Sequence, residues 1–574
     1  MTHMKSLIDT AAGRTPADLV LTNGRIIDVV SGRIIEGDIA IHDGTVAGIG
    51  AYDGRETMDL DGRYVAPGFI DCHLHIESSF LVPSQFARAA VVRGTTTVIA
   101  DPHEIANVLG TDGIRFMHED SLRAPLDVFF TAPSCVPATH LETAGAALST
   151  EDIARLLKED WIVGLGEMMN FPGVISGDES VLEKLQAARK ASKVIDGHAP
   201  GVSGKDLCAY VSAGITSDHE CTTLSEAQEK LDRGMFIMIR EGSQAKNMDD
   251  LIALVNDVTW PNLAFVSDDI HAEDLLERGY IDHFLRKAIE RGIDPVTAVR
   301  MVTLSPSVRF GLTDRGALVP GRLADIVVID NLKDFAVRTV IKEGRIVSQN
   351  GEATFSVDPL DPSEIHDSII LMKPREEDLK VPWRDSPVRI IRIVPDQIVT
   401  EMVEEVPARS GDRAVSDTER DIIKIAVFER HRGTGNVGVG FVRGFGLKSG
   451  AIASTVAHDS HNLVVIGADD GDMLTALHHV TEIGGGQAVV SDGKVLSSLA
   501  LPVAGLMSDR PAEEVAGCAA RNLDAAKTLG CIVENPFMML SFLSLPVIPR
   551  LKLTDRGLVD VELFDIVPLY CDYE

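Results

Sequence analysis

No uninterrupted apolar run in these 574 residues reaches the roughly 18 that a membrane-spanning helix requires. The opening Met-Thr-His-Met-Lys-Ser also lacks the apolar core of a signal peptide. A membrane partner is therefore not expected, and a cytoplasmic protein is. Cysteine is scarce: Cys72, Cys135, Cys208, Cys221, Cys518, Cys531 and Cys571 are scattered, odd in number and never spaced Cys-x-x-Cys. That pattern suits reduced thiols rather than a disulfide framework. Positive charge is short as well, with 54 Lys+Arg against 86 Asp+Glu and a net charge of −32. Such a surface repels a phosphate polymer, so nucleic acid is not an expected partner, whereas a small neutral molecule is compatible. Low-complexity tracts and solenoid periods are absent too.

What the chain does have is length and 45% hydrophobic residues, enough for a large core divided into two or three domains. Residues 18–64 alternate apolar and polar, with turn signals at Asn23-Gly24, Asp43-Gly44 and Asp61-Gly62. Short antiparallel strands and a small β module over residues 1–64 are expected. From 65 to 310 short apolar runs alternate with helix-like segments, the pattern of a parallel sheet with crossover helices. Eight such runs, at 65–72, 95–101, 126–132, 161–167, 193–198, 213–219, 234–240 and 262–268, have the number and span of a (β/α)8 barrel. Residues 311–350 return to short strands and are assigned to the same β-sandwich module as 1–64. Residues 351–384, rich in Pro, Asp and Glu, read as a linker, and 385–574 as a C-terminal α/β domain. The expected fold class is α/β throughout.

Barrel enzymes carry their reactive groups at the C-terminal ends of strands. Here those ends carry His73 and His75, Glu167, His198, His219 and Asp268. In a strand, residues two apart face the same way, so His73 and His75 can bind one ion. The intervening Cys72 and Leu74 point elsewhere, and Cys72 is expected in the core. A lone His-x-His is weak evidence, because histidines on an apolar strand are commonly satisfied core or surface residues. Four further ligand-type residues ending separate strands on one rim reverse that judgement. Imidazoles and carboxylates together suit Zn²⁺, Mn²⁺ or Fe²⁺, and a carboxylate can bridge two ions, which is the role assigned to Glu167. Asp268 is assigned to orient a metal-activated water, take its proton and deliver it to the leaving group. The competing reading makes Asp268 the cap of the next helix.

The runs Pro67-Gly-Phe-Ile-Asp-Cys-His73-Leu-His75-Ile-Glu-Ser-Ser, Asp101-Pro-His-Glu-Ile-Ala-Asn-Val, Gly-Glu167-Met-Met-Asn and Asp-Gly-His198-Ala-Pro resemble the amidohydrolase superfamily. Within it they resemble the bacterial adenine deaminases. The resemblance extends through Ala457-His458-Asp459-Ser460-His461-Asn462 and so covers nearly the whole chain. It implies hydrolysis of a C–N bond in a cyclic amidine, adenine to hypoxanthine and ammonia, at a dinuclear centre of manganese or iron. It also implies the ligand set His73, His75, Glu167, His198, His219 and Asp268, with Glu167 replacing the carboxylated lysine of many relatives. Lys193 begins its strand rather than ending it and is read as structural.

Attack at C6 of adenine puts charge on N1, which a protonated neighbour stabilises. His103 and Glu104, ending the second apolar run, are the candidates for binding or proton delivery, with Asp101 beside them. The alternative for all three is to orient the metal ligands through hydrogen bonds. Glu77 and Glu241 are weaker pocket candidates. Residues 458–462 either close over the barrel mouth or form a turn or an interface. Gly433-Thr-Gly-Asn-Val-Gly438 is read as a turn between strands, because no clear helix start follows it. Two other functions stand beside the first: another dinuclear-metal amidohydrolase, such as an amino-sugar deacetylase or cyclic amidase, and a non-catalytic barrel. A homo-oligomer is expected from the size of the barrel and its apolar-rich companion domain.

Overall fold

A computed structural model describes residues 2–358, 360, 365, 368–395 and 397–571. Part of the linker reading, at 359, 361–364 and 366–367, lies outside the described residues.

The β module is one sheet drawn from both sides of the 65–310 region. Ala17–Asp28, Arg33–His42 and Thr45–Ile49 form its antiparallel edge, and Tyr64–Pro67 pairs with Ile326–Ile329, so that Val65 faces Val328. Asp43 and Gly44, at φ 46° and 72°, make the two-residue hairpin that their sequence signals. Two details differ from the sequence reading. Asn23-Gly24 makes a bulge inside a long strand rather than a turn, and Gly54–Asp59 and Tyr64–Pro67 pair with Ala17–Asp28 in parallel.

Parallel strands follow in two arcs. The first runs, in spatial order, Val194–Gly197, Ile162–Met168, Asp127–Ala132, Thr95–Ala100, Phe69–His75 and Asp268–Asp269. The second holds Ser217–Asp218, Phe236–Arg240 and Leu263–Val266. Asp268–Asp269 continues directly from Leu263–Val266 and pairs with Phe69–His75. At the opposite seam Thr216 N–H donates to the Ile195 carbonyl at 3.1 Å. Phe69–His75, Thr95–Ala100, Ile162–Met168 and Phe236–Arg240 are buried at every residue, as parallel strands covered on both faces should be. The run read as 65–72 is in fact divided: Tyr64–Pro67 serves the β module, and Phe69–His75 continues past both histidines. Cys72 packs with Ile99, Val163 and Met238, in the core as expected. Lys193 donates to the Ile162 carbonyl at 2.5 Å at the start of its strand, a structural role.

The C-terminal region builds a further, mixed sheet of eight strands, from Thr400–Glu405 to Lys494–Ala500, with the helices Asp470–Glu482, Ala512–Thr528 and Pro536–Leu543. Gly433 and Gly435, at φ 62° and 78°, lie between the strands Ile422–Phe428 and Val437–Arg443, the turn expected there. Helix Ala512–Thr528 packs against Ala272–Glu277, the helix that follows the parallel arcs, which brings the loop 458–462 toward the rim that carries the ligand-type residues. Among the described residues, no helix is long and apolar enough to cross a membrane.

Candidate metal centre

Because Phe69–His75 runs on through His75, both imidazoles reach the rim, where they meet groups from four other strand ends. His73 Nε2 and His75 Nε2 stand 3.4 and 3.3 Å from Asp268 Oδ1. Glu167 forks between two groups of histidines. Its Oε1 lies 3.3 Å from His75 Nε2, while its Oε2 lies 3.2 Å from His219 Nε2 and accepts from His198 Nδ1 at 2.6 Å. All six residues named from the sequence are therefore in one place. Five are buried, and His198 is partly open, with 26% of its side chain exposed.

The donor spacing fits a metal. Bonds of about 2.1 Å at tetrahedral angles put neighbouring donor atoms about 3.4 Å apart, the separation seen for His73, His75, His219, Glu167 and Asp268. His73 Nε2 is buried without a hydrogen-bond partner, an arrangement that is costly unless something fills it. His75 Nδ1 donates to the Asp101 carbonyl at 2.9 Å, which turns the lone pair of Nε2 toward the centre. His198 departs from this spacing, since it bonds Glu167 directly.

The charges are mutually held. Burial drives the Glu167 carboxyl up, but His219, His198 and His75 outweigh it and keep it well below the usual carboxylate range. Asp268 behaves alike, with burial opposed by His73, His75 and the Arg240 guanidinium. Burial opposes charge on His75 too, yet Asp268 and Glu167 raise its proton affinity well above the usual histidine value. On His198 burial is outweighed by Glu220 and Glu167, which bring it to about 9.

Asp268 sits at φ 61°, a left-handed conformation adopted at some energetic cost. The following helix, Ala272–Glu277, has His271 at its cap position, so Asp268 does not cap it. Arg240, ending the seventh strand, donates to Asp268 Oδ2 at 3.0 Å and to Glu220. Asp71, two residues before His73, is fully buried and accepts four bonds: from His73 N–H at 3.2 Å, Ser267 N–H at 3.1 Å, and the Ser267 and Tyr280 hydroxyls at 2.7 Å each. It ties the strand that carries the His pair to the residue preceding Asp268.

Asp101, His103 and Glu104 lie beside this centre in different ways. Asp101 Oδ2 accepts the Glu167 amide at 3.0 Å, so Asp101 braces two ligand-type residues from behind. His103 stands between two carboxylates, its Nδ1 3.5 Å from Glu167 Oε1 and its Nε2 3.6 Å from Glu104 Oε1. Glu104 is gripped from the C-terminal region, His458 Nδ1 on one oxygen and His461 Nε2 on the other. Glu77 takes the Ile105 amide at 3.2 Å, and burial pushes its carboxyl to about 7. Glu241 is occupied by Lys287 at 2.7 Å.

Sequence reasoning did not find Arg240, Glu220 or the four-bond role of Asp71, and it gave residues 458–462 no partner. The one available signal was five polar residues in a row after an apolar strand.

The amidohydrolase family pattern matches residues 64–347, and the adenine deaminase C-terminal domain matches 397–565. An adenine deaminase of Desulfatibacillum aliphaticivorans is 51% identical over 98% of this chain and 99% of its own. Adenine deaminase 2 of Carboxydothermus hydrogenoformans is 49% identical over 99% of this chain and 100% of its own. A crystal structure of an adenine deaminase superposes with a TM-score of 0.43, at 20% identity over 58% of this chain and 100% of that one.

Proposed function

The chain belongs to the adenine deaminase family of the amidohydrolases, and from that premise we propose the following account of its chemistry. It is a hydrolase that converts adenine and water to hypoxanthine and ammonia. The observation that carries the mechanism is the fork of Glu167, with one oxygen toward His75 and the other toward His198 and His219.

We assign His73, His75 and Asp268 to one ion and His198 and His219 to a second, with Glu167 shared. Two divalent ions held by these residues would lower the pKa of a water and supply hydroxide near neutral pH. Manganese or iron(II) is the proposed pair, with zinc a further candidate. Asp268, ionised at neutral pH in its setting of His73, His75 and Arg240, takes the proton of the attacking hydroxide and passes it to the amino group that leaves from C6. Glu104 and His103 face the charge that develops on N1. Asp101 is a positioning residue, because its carboxylate and carbonyl hold Glu167 and His75. Burial of these groups favours the free base over a nucleoside, whose sugar would have to enter the same closed space.

We read the two parallel arcs as one (β/α)8 barrel over 65–310. The β module then comprises 1–64 and 311–350, followed by the 351–384 linker and the α/β domain 385–574. Free thiols on Cys72, Cys135, Cys208, Cys221, Cys518 and Cys531 support a cytoplasmic setting, and a homo-oligomer remains our expectation. The test is ammonia release from adenine by protein loaded in parallel with manganese, iron(II) or zinc, with metal counted on the same samples. Release that tracks two metals per chain supports the proposal. Two bound metals without release from adenine refute it.

A further inference from the structure

The loop 458–462 is fixed on both sides. Its own domain holds it through the Ser541 hydroxyl, which accepts the His458 amide at 2.8 Å, and through the buried Arg430, which donates to the His461 carbonyl. The barrel side holds it through Asn462, which donates to the Thr143 carbonyl at 2.9 Å. Between these anchors both imidazoles are buried and aimed at a single carboxylate, Glu104, at the start of helix His103–Ser121. Each ring takes a different oxygen.

The two rings are not equivalent. His461 Nδ1 accepts the Ala457 amide at 3.1 Å, so the one proton of a neutral ring sits on Nε2, facing Glu104. Burial keeps this ring neutral by lowering it to about 4. His458 has Asp459, Asp269 and Glu104 around it; burial opposes its charge, yet these carboxylates raise it to about 9. Burial drives Glu104 up, but His458, His461 and His103 hold it well below the usual range. Donor atoms this close are hydrogen-bonded partners, too near one another to share a metal ion.

Resting on the reading of Glu104 as the group beside N1, we infer that the C-terminal domain completes the catalytic centre: His461 positions the Glu104 carboxylate, and His458 supplies it with the proton that adenine N1 takes up. The His458 Nδ1–H bond breaks as a Glu104 O–H bond forms, and that proton moves to N1 while oxygen bonds to C6. The proton of the attacking hydroxide travels through Asp268 to the exocyclic nitrogen, the C6–N bond breaks, and ammonia leaves. The next water gives up one proton as it becomes hydroxide, and that proton restores His458. Both histidines act through Glu104 and are positioning residues.

The test is a set of variants of the full-length, metal-loaded enzyme at matched metal content, with kcat and KM for adenine measured separately. His458→Ala and His461→Ala should each lower kcat about a hundredfold, the scale of a misplaced reacting group, with KM little changed. Combining either with Glu104→Gln should be no slower than Glu104→Gln alone. If an alanine variant does not fold, the glutamine variants decide: His461→Gln keeps a neutral donor and should work, whereas His458→Gln has no transferable proton and should not. Wild-type rates for His458→Gln, or losses that multiply in the double variants, overturn the inference and leave the Glu104 reading standing. A wild-type rate for Glu104→Gln removes the reading itself.

Discussion

Asp71→Asn separates holding the fold from holding the site. The carboxylate is buried without solvent contact, and burial pushes it from 3.8 to about 6 even with its four hydrogen bonds. A two-unit upward shift means that the ionised form carries a penalty of about 3 kcal/mol at pH 7, net of those bonds. The folded state holds the proton more tightly than the unfolded one, so this penalty is absent below pH 4 and complete above pH 6. Asparagine removes it. In exchange, its Nδ2 faces the Ser267 amide, donor against donor, which costs about 1–3 kcal/mol. The Ser267 and Tyr280 hydroxyls can turn to accept. Above pH 6 the two effects leave stability within about 2 kcal/mol of wild type. Catalysis has no such compensation, because the amide of Ser267 sets where Asp268 stands. A loss of about a hundredfold in kcat is expected for a displacement near 1 Å. Thermal unfolding at pH 7 and steady-state ammonia release provide the two measurements. An unchanged kcat refutes the positioning role, and a large fall in midpoint refutes the cancellation.

Four other outcomes are expected. Asp268→Asn should retain metal and lose turnover, whereas Glu167→Gln should lower occupancy at both positions; metal analysis beside kcat distinguishes them, and full activity of Asp268→Asn ends its proton-transfer role. Metal uptake by metal-free protein at pH 7 should release protons, because His198, at about 9, and His75, raised by Asp268 and Glu167, are protonated there and a ligating ring must be neutral. Affinity should therefore climb with pH across the neutral range and through about 9, where His198 gives up its proton, as read by titration with a pH indicator. Lys552 is fully buried and lowered from 10.5 to about 7 by burial; the unfolded chain binds more protons between those values, so stability rises with pH across them. Lys552→Met should raise the unfolding midpoint more at pH 6.5 than at pH 9, and an equal rise at both would place the effect elsewhere. Adenosine should not be deaminated at a rate approaching that of adenine, and equal turnover would refute the closed pocket.

The six residues at the centre were legible because each ends an apolar run, and a parallel strand buried on both faces leaves little for a His, Glu or Asp to do there except work. That logic uses only local pattern and strand alternation. It misplaced the first run, where Gly68 divides residues of two sheets that sequence alone reads as one. It also took Asn23-Gly24 for a turn, since a glycine signal does not say whether the chain reverses or bulges. Arg240 was missed for a different reason: at a strand end an arginine looks like any rim cation until Asp268 and Glu220 are seen beside it.

The least legible contact is the one with the greatest consequence for the site. Glu104 and His461 are 357 positions apart, and no local periodicity links a helix start after a parallel strand to a loop on another sheet. Each was noticed alone, Glu104 as a candidate for binding or proton delivery and His-Asp-Ser-His-Asn as a closing segment, a turn or an interface, but nothing in the local pattern joined them. Together they make a buried carboxylate with a donor on each oxygen, an arrangement that removing either ring leaves half satisfied. A buried charge held this way seldom adds net stability, so its place one imidazole, His103, away from Glu167 is better explained by what it does than by what it holds up. On that reasoning, the full-length His458→Ala/His461→Ala double variant should still gather metal at the six candidate positions yet deaminate adenine far more slowly than the wild type. A double variant that binds two metals and turns over at the wild-type rate would refute it.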